Sequence, residues 1–351
     1  MLDYKTLRPF LFKLEPEEAH KIIECLCQIA PKIPMLLAAL SKRFCIQDEA
    51  LAQNINGLDF YNPVGLAAGF DKNALMIESL CALGFSHLEL GAVTPFLQIG
   101  NEKPRLWRHI QEESLQNAMG FNNQGAEIIA QRLEQYYPFV LPLGINIGKN
   151  KTTPQEKAQD DYITLAQKFK DISDYLSLNL SSPNTPNLRD LQNEAFINEL
   201  LKSLIAFYPK PIYLKISPDL AIDEILKLSE AAINAGIKGL ILTNTTLDYS
   251  LVANPKEKGG ISGKVLANKS KTILKEVAKA FYKKTTLISV GGISNAQEAY
   301  ERLKLGASLI QVYSAMIFEG PSLVFNLNKG ILELLRQDGL NHIQEAIGVN
   351  L

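Results

Sequence analysis

The sequence predicts an α/β protein, a (β/α)8 TIM barrel carrying a small N-terminal helical hairpin. Three observations predict it. Short apolar, strand-like runs alternate with longer helical stretches from Cys45 onward. Eight such units can be counted, the number a closed barrel needs. The first strand runs into Ala67-Ala68-Gly69-Phe70-Asp71-Lys72, without the Gly-x-Gly-x-x-Gly turn that opens a doubly wound dinucleotide-binding sheet.

The hairpin comes first, over residues 1–45, with the barrel over 46–351. Between Pro16 and Ile29 the apolar residues Ala19, Ile22, Ile23, Leu26 and Ile29 recur at helical spacing. Pro16, Glu17 and Glu18 suit a helix N-terminus. Pro31 and Pro34 end that helix, and a second one carries Met35 to Leu40 and closes on Lys42-Arg43-Phe44. Such a hairpin either packs on the barrel or offers an apolar face to a membrane surface and a greasy substrate. No apolar run reaches the ~18 residues needed to cross a bilayer. Asp3 and the lack of a continuous apolar core argue against a signal peptide.

The strands are expected near Val64–Ala67, His87–Leu90, Leu141–Ile147, Tyr175–Leu180, Ile212–Ile216, Gly239–Thr243, Leu287–Val290 and Leu309–Tyr313. Helices fill the gaps. Pro154–Lys170 is opened by Thr152 and Thr153, and Leu220–Ala235 is closed by Gly236.

Composition narrows the chemistry. The chain has 351 residues, 46% of them hydrophobic, and a net charge of -1, so nothing in its charge speaks for nucleic acid. Cys25, Cys27, Cys45 and Cys81 form no Cys-x-x-Cys pair, and reduced thiols are expected. His20, His87, His109 and His342 lack metal-ligand spacing, so no metal site is expected.

Barrel active sites gather at the C-terminal ends of the strands. Those ends carry Lys72, Asn146, Asn179, Ser182, Asn184, Lys215, Thr243, Asn244, Thr245, Gly291, Gly292, Tyr313 and Ser314. Singly, Ser, Asn and Pro after Tyr175–Leu180 are ordinary turn formers, and a terminal lysine is often a solvated charge. Together they describe a polar pocket with two lysines and almost no acids, suited to an anionic or electron-rich ligand. Gly291-Gly292 and Tyr313-Ser314 stand where barrels often cradle phosphate. Gly259 to Lys264 is only loosely like a P-loop, and Val265 stands where Ser or Thr is needed. Without a metal cluster or acid pair, a phosphate-bearing organic cofactor must carry any redox chemistry, and FMN fits. Lys215 can then stabilise negative charge on a reduced flavin.

Eight motifs in order carry a resemblance over almost the whole chain. They are Ala67-Ala-Gly-Phe-Asp-Lys72, Asn117-Ala-Met-Gly-Phe-Asn-Asn123, Gly144-Ile-Asn-Ile-Gly-Lys-Asn150, Asn179-Leu-Ser-Ser-Pro-Asn-Thr-Pro186, Thr243-Asn-Thr-Thr246, Gly259-Gly-Ile-Ser-Gly263, Val290-Gly-Gly-Ile293 and Gln311-Val-Tyr-Ser314. The chain resembles the dihydroorotate dehydrogenases, specifically their membrane-associated, quinone-dependent class. The resemblance implies oxidation of (S)-dihydroorotate to orotate in pyrimidine biosynthesis, with FMN as hydride acceptor and a membrane quinone as final acceptor. It implies a peripheral location on the cytoplasmic side of the cell's inner membrane, through the hairpin.

By the same resemblance, Ser182 is the catalytic base. The flavin site uses Ala68, Gly69, Phe70, Asp71, Lys72, Ala92, Asn146, Asn179, Lys215, Thr243, Gly263, Gly292, Tyr313 and Ser314. The substrate site uses Lys72, Asn117, Ala118, Met119, Gly120, Phe121, Asn179, Asn184, Asn244 and Thr245. His20 and Arg108 match positions near the quinone tunnel, although His20 is equally a helix-surface histidine. Ala92 stands where the family usually has Ser or Thr, which removes a hydroxyl and leaves a backbone contact. Ala118 replaces a commonly longer residue, with no catalytic consequence expected. The soluble classes carry Cys at the base position, so Ser182 and the hairpin point to the quinone class over a fumarate- or NAD-linked one. A phosphate-binding isomerase or aldolase barrel explains only the glycines after strands seven and eight. A non-catalytic membrane-binding barrel leaves Lys72, Ser182 and Lys215 without a role.

Overall fold

A computed structural model describes residues 4–351; Asp3, and the argument hung on it, lie outside the described residues. Eight parallel strands close into a barrel: Val64–Leu66, His87–Val93, Leu143–Ile147, Tyr175–Asn179, Ile212–Ile216, Gly239–Leu242, Thr286–Val290 and Leu309–Val312. Each pairs with its sequence neighbours, and strand eight returns to strand one through Ile310 opposite Val64. Both faces of the wall are covered, so the strands read as continuous apolar runs, as buried parallel strands do.

Alternation sorts the side chains. Leu176 and Leu178 face the helix layer and join the main core, whereas Tyr175 belongs to a separate cluster inside the barrel. That inner cluster holds Phe60, Tyr175, Tyr213, Ile241, Ile288 and Leu309, all essentially without solvent exposure. Phe60 comes from a two-stranded hairpin, Gln53–Ile55 and Leu58–Phe60, below the strands' N-terminal ends. Its Asn56-Gly57 turn has φ of 54° and 81°, the conformation such a hairpin asks of Asn-Gly. Gly144 is required inside the barrel, because a Cβ there would run into the Tyr175 ring.

The N-terminal helix Pro16–Ile29 forms over the expected residues, with Pro16 in its first turn. Ala30–Lys32 makes one 3-10 turn, and Pro34–Phe44 follows. A further helix, Tyr4–Leu11, was not legible because Pro9 interrupts its short run. It is anchored where the Tyr4 hydroxyl donates to Ile317 O at 2.7 Å and Arg8 Nη1 to Phe318 O at 2.8 Å. No single helix among the described residues is long and apolar enough to cross a membrane, and the pair Pro16–Lys32 and Pro34–Phe44 is bent by 108°.

At the barrel's C-terminal mouth the structure adds an element that periodicity did not reveal. Three short antiparallel strands, Leu106–His109, Ser114–Asn117 and Gly260–Gly263, form a flap. The Gly259–Lys264 stretch is therefore flap strand and turn, not a nucleotide loop.

Candidate active site

Between flap and barrel mouth lies a cavity of about 1320 Å³, counting its open entrance. Its walls bring together Ala68, Gly69, Lys72, Ala92, Asn117, Met119, Gly120, Phe121, Asn179, Ser182, Asn184, Lys215, Thr243, Asn244, Thr245, Gly263, Gly292, Tyr313 and Ser314. These residues come from the ends of every strand but Leu143–Ile147 and from the flap. Their convergence follows from the parallel barrel, which delivers every strand's C-terminal loop to one rim.

Four residues expected at the site do not line the cavity: Phe70, Asp71, Ala118 and Asn146. Asp71 is turned into the protein, where its carboxylate accepts from the backbone N–H groups of Asn73, Leu75 and Met76 at 3.2, 3.0 and 2.8 Å. It shapes the loop after strand one. Phe70 packs edge-on between His20 and Tyr313, with ring centroids 5.1 and 5.5 Å away. Ala118 N donates to Arg105 O at 2.8 Å, within the flap's connection. Asn146 lies one layer below the cavity. Phe70, Asp71 and Ala118 were assigned within runs of consecutive residues, although alternate residues of an extended chain point away from one another.

The cavity floor is a hydrogen-bonded lattice. Asn179 Nδ2 donates to Asn146 Oδ1 at 2.9 Å, and Asn244 Nδ2 donates to Asn179 Oδ1 at 3.2 Å. Below them Asn146 Nδ2 donates to Glu89 Oε1 at 2.7 Å, and Gln311 Nε2 to Glu89 Oε2 at 2.8 Å. Lys215 Nζ stands 3.6 Å from Glu89 Oε1, both side chains nearly or wholly buried. Sequence reasoning missed Glu89, and Gln311 entered only as part of a motif. The available signal was an acid between two leucines in a strand buried on both faces, where a charge needs a partner.

Lys72 is cationic at neutral pH but poised. Burial pushes its ammonium down to about 8, against the opposing pull of Glu17, Asp71 and Glu24. Its Nζ donates to Gly69 O at 2.7 Å. Ser182 is nearly buried, and its hydroxyl oxygen accepts from Asn184 N at 3.2 Å. Asn184 Nδ2 reaches across to Asn117 Oδ1 on the flap at 2.9 Å.

The residues fit a flavin phosphate and a polar ring. Gly291 and Gly292 take φ of 113° and 80°, and a Cβ on Gly292 would collide with the Ala267 backbone, so only glycine leaves that turn open. Ser314 Oγ lies 2.9 Å from Ser262 Oγ of the flap. Two polar atoms on the cavity wall, Gln311 Oε1 and Thr245 Oγ1, are buried without a hydrogen-bond partner. Orphaned atoms of this kind ask for a ligand group.

The hairpin meets this site from the side. Glu17 holds Arg105, which leads into the flap, through a two-pronged ion pair of 2.9 and 3.0 Å. His20 is driven to about 4 by burial and by the Lys72 charge, and is neutral at physiological pH. Arg108 Nη1 donates to Leu14 O at 2.8 Å, and its guanidinium lies 4.8 Å from the Phe12 ring centroid. Both residues thus bridge hairpin and barrel, outside the cavity wall.

Comparison with known proteins places the chain among relatives of one kind. The family model described as dihydroorotate dehydrogenase matches residues 50–335. The dihydroorotate dehydrogenase (quinone) of a Nitratiruptor species is 50% identical over 350 residues, covering 100% of both chains. That of Helicobacter acinonychis (strain Sheeba) is 52% identical over 348 residues, covering 99% of each. The ligand-free DHODH of Eimeria tenella superposes with a TM-score of 0.87 at 33% identity, over 95% of this chain and 99% of that one.

Proposed function

The chain belongs to the dihydroorotate dehydrogenase family, and from that premise we propose how its cavity performs the reaction. It is a flavin-dependent oxidoreductase that converts (S)-dihydroorotate to orotate in pyrimidine biosynthesis, with a quinone as final acceptor. The cofactor is FMN: Gly291, Gly292, Tyr313 and Ser314 would hold its phosphate, and Ala68, Gly69, Ala92, Lys215 and Thr243 would hold its ring system. What FMN supplies when bound is acceptance of hydride from C6 of the substrate and onward passage of electrons to the quinone.

The chain's own residues do the rest. Asn117, Asn179, Asn184, Asn244 and Thr245 grip the amide edges of the substrate ring, since primary amides offer a donor and an acceptor side by side. Lys72 draws in the substrate carboxylate. Ser182 takes the proton from C5. A serine hydroxyl is a weak base, so its proton must leave through a hydroxyl or water relay. The flap covers the reacting atoms and excludes bulk water. Asn146, Phe70 and Asp71 support this wall from behind.

The hairpin is the quinone's door and the membrane anchor, seating the enzyme peripherally on the cytoplasmic side of the inner membrane. Leu26, Met35 and Leu36 are 56%, 86% and 42% exposed there, an apolar face with no partner among the described residues. His20, Phe70 and Tyr313 run edge to face from the hairpin to the cavity.

The observation that carries this reading is the meeting of Ser182, Lys72 and four asparagines with the glycine cradle in one cavity. The test is anaerobic mixing with dihydroorotate. It should bleach a bound flavin, which an added quinone then restores. A flavin that stays oxidised, or one released as FAD, sinks the proposal.

A further inference from the structure

Glu89 is a buried charge that touches neither surface nor cavity. Among the described residues it is the only glutamate with no solvent exposure. Its two oxygens take Asn146 Nδ2, Gln311 Nε2 and the nearby Lys215 ammonium. Hydrogen-bond chemistry fixes the direction of every contact above it. An ionised carboxylate only accepts, so Asn146 must turn its NH2 toward Glu89. That leaves the Asn146 oxygen for Asn179, which must answer with its own NH2, at 2.9 Å. Asn179 then has its oxygen left, and this takes the NH2 of Asn244 at 3.2 Å. An amide side chain can ordinarily be turned over at little cost in shape. Here one acceptor-only end orients Asn146 and Asn179 in series, and their direction agrees with that of Asn244, whose oxygen accepts from the Thr245 N–H at 2.7 Å; Asn179 and Asn244 line the cavity.

We propose that Glu89 is a positioning residue that sets the donor–acceptor direction of Asn146 and Asn179 to match the backbone-held Asn244, and so decides which edge of Asn179 meets the substrate ring, while holding the Lys215 ammonium in place. The proposal rests on the reading of the cavity as a flavin and orotate site. Space filling does not explain the choice of residue, because a glutamine fills the same volume. Direction does, since a glutamine both donates and accepts and imposes none. Losing the charge also leaves Lys215 uncompensated beside the flavin's place.

The experiment compares FMN-loaded wild type with Glu89→Gln. Orotate is titrated against the flavin absorbance, and the flavin's reduction potential and the protein's Tm are measured. Orotate affinity should fall about tenfold or more, the order expected for a buried amide facing a like partner. The potential should rise, because removing a negative charge favours the anionic reduced ring. The decisive variant is the exchange Glu89→Gln with Asn146→Asp. It moves the acceptor-only group one place along the chain, where it still receives the Asn179 NH2 and now takes a hydrogen bond from position 89. Orotate affinity should largely return. Unchanged orotate affinity in the single variant overturns the assignment, and so does an exchange no better than the single variant. If Glu89→Gln fails to hold FMN, recovery of FMN and orotate binding in the exchange supports the proposal, and failure there overturns it. Wild type that binds neither FMN nor orotate would instead sink the reading of the site.

Discussion

Asn184 Nδ2 donates to Asn117 Oδ1 at 2.9 Å, tying the loop after strand four to the flap. The loop that bears Ser182 and the strand that roofs the cavity are thus held by one amide pair. Removing either amide should raise the KM for dihydroorotate several-fold, up to about tenfold, as the loss of a half-buried hydrogen bond predicts. The double variant should lose less than the two effects multiplied, because either single variant already removes the bond between the two residues. Steady-state kinetics on Asn117→Ala, Asn184→Ala and the pair checks this, and full additivity contradicts it.

Ser182→Ala should slow flavin reduction by dihydroorotate by roughly 10²–10⁴-fold, the usual contribution of a general base. FMN content and orotate binding should change little. Ser182→Cys should recover part of the rate as pH rises, because a thiol ionises more readily than a hydroxyl. Stopped-flow absorbance decides, and a parent rate in Ser182→Ala removes the serine from its role.

Lys72 should make orotate binding depend on pH. Its ammonium is held down to about 8 in the free site, and a bound carboxylate favours the charged form and raises that value. Affinity should therefore be full below pH 8 and fall as pH climbs through it, by up to tenfold per unit. Lys72→Met should bind orotate weakly and lose the dependence. Titration of flavin absorbance between pH 6 and 10 measures both, using about four pH units to span the shift.

The hairpin should separate the half-reactions. Replacing Leu26, Met35 and Leu36, all exposed, with polar residues should leave reduction by dihydroorotate and electron transfer to small soluble dyes intact. Turnover with a long-chain quinone and binding to lipid vesicles should drop sharply. Starting the chain at Ile46 is a harsher form of the test, since it also uncovers the barrel surface beneath buried Phe44. Full activity with a long-chain quinone in the polar variant would make the hairpin mere packing.

Much of this was legible because buried parallel strands and amphipathic helices write their periods openly. Ile212–Ile216 and Pro16–Ile29 form over the expected residues. The flap was not legible. Leu106–His109 and Gly260–Gly263 are four residues each, too short for a period-2 signal, and Gly260–Gly263 pairs with Ser114–Asn117, far away in sequence. Glu89 escaped because active-site residues were sought at the strand ends, whereas its carboxylate lies below the cavity-lining Asn179, against Asn146 and Gln311. Phe70 and Asp71 sit in a motif at the site yet face away from the cavity, since a motif records a neighbourhood and not the direction of each side chain.

The apolar cluster of Phe60, Tyr175, Tyr213, Ile241, Ile288 and Leu309 fills the lower half of the barrel. It makes the barrel a blind vessel, stoppered at one end. Whatever enters the cavity must therefore come from the strands' C-terminal side, because the far end is packed shut.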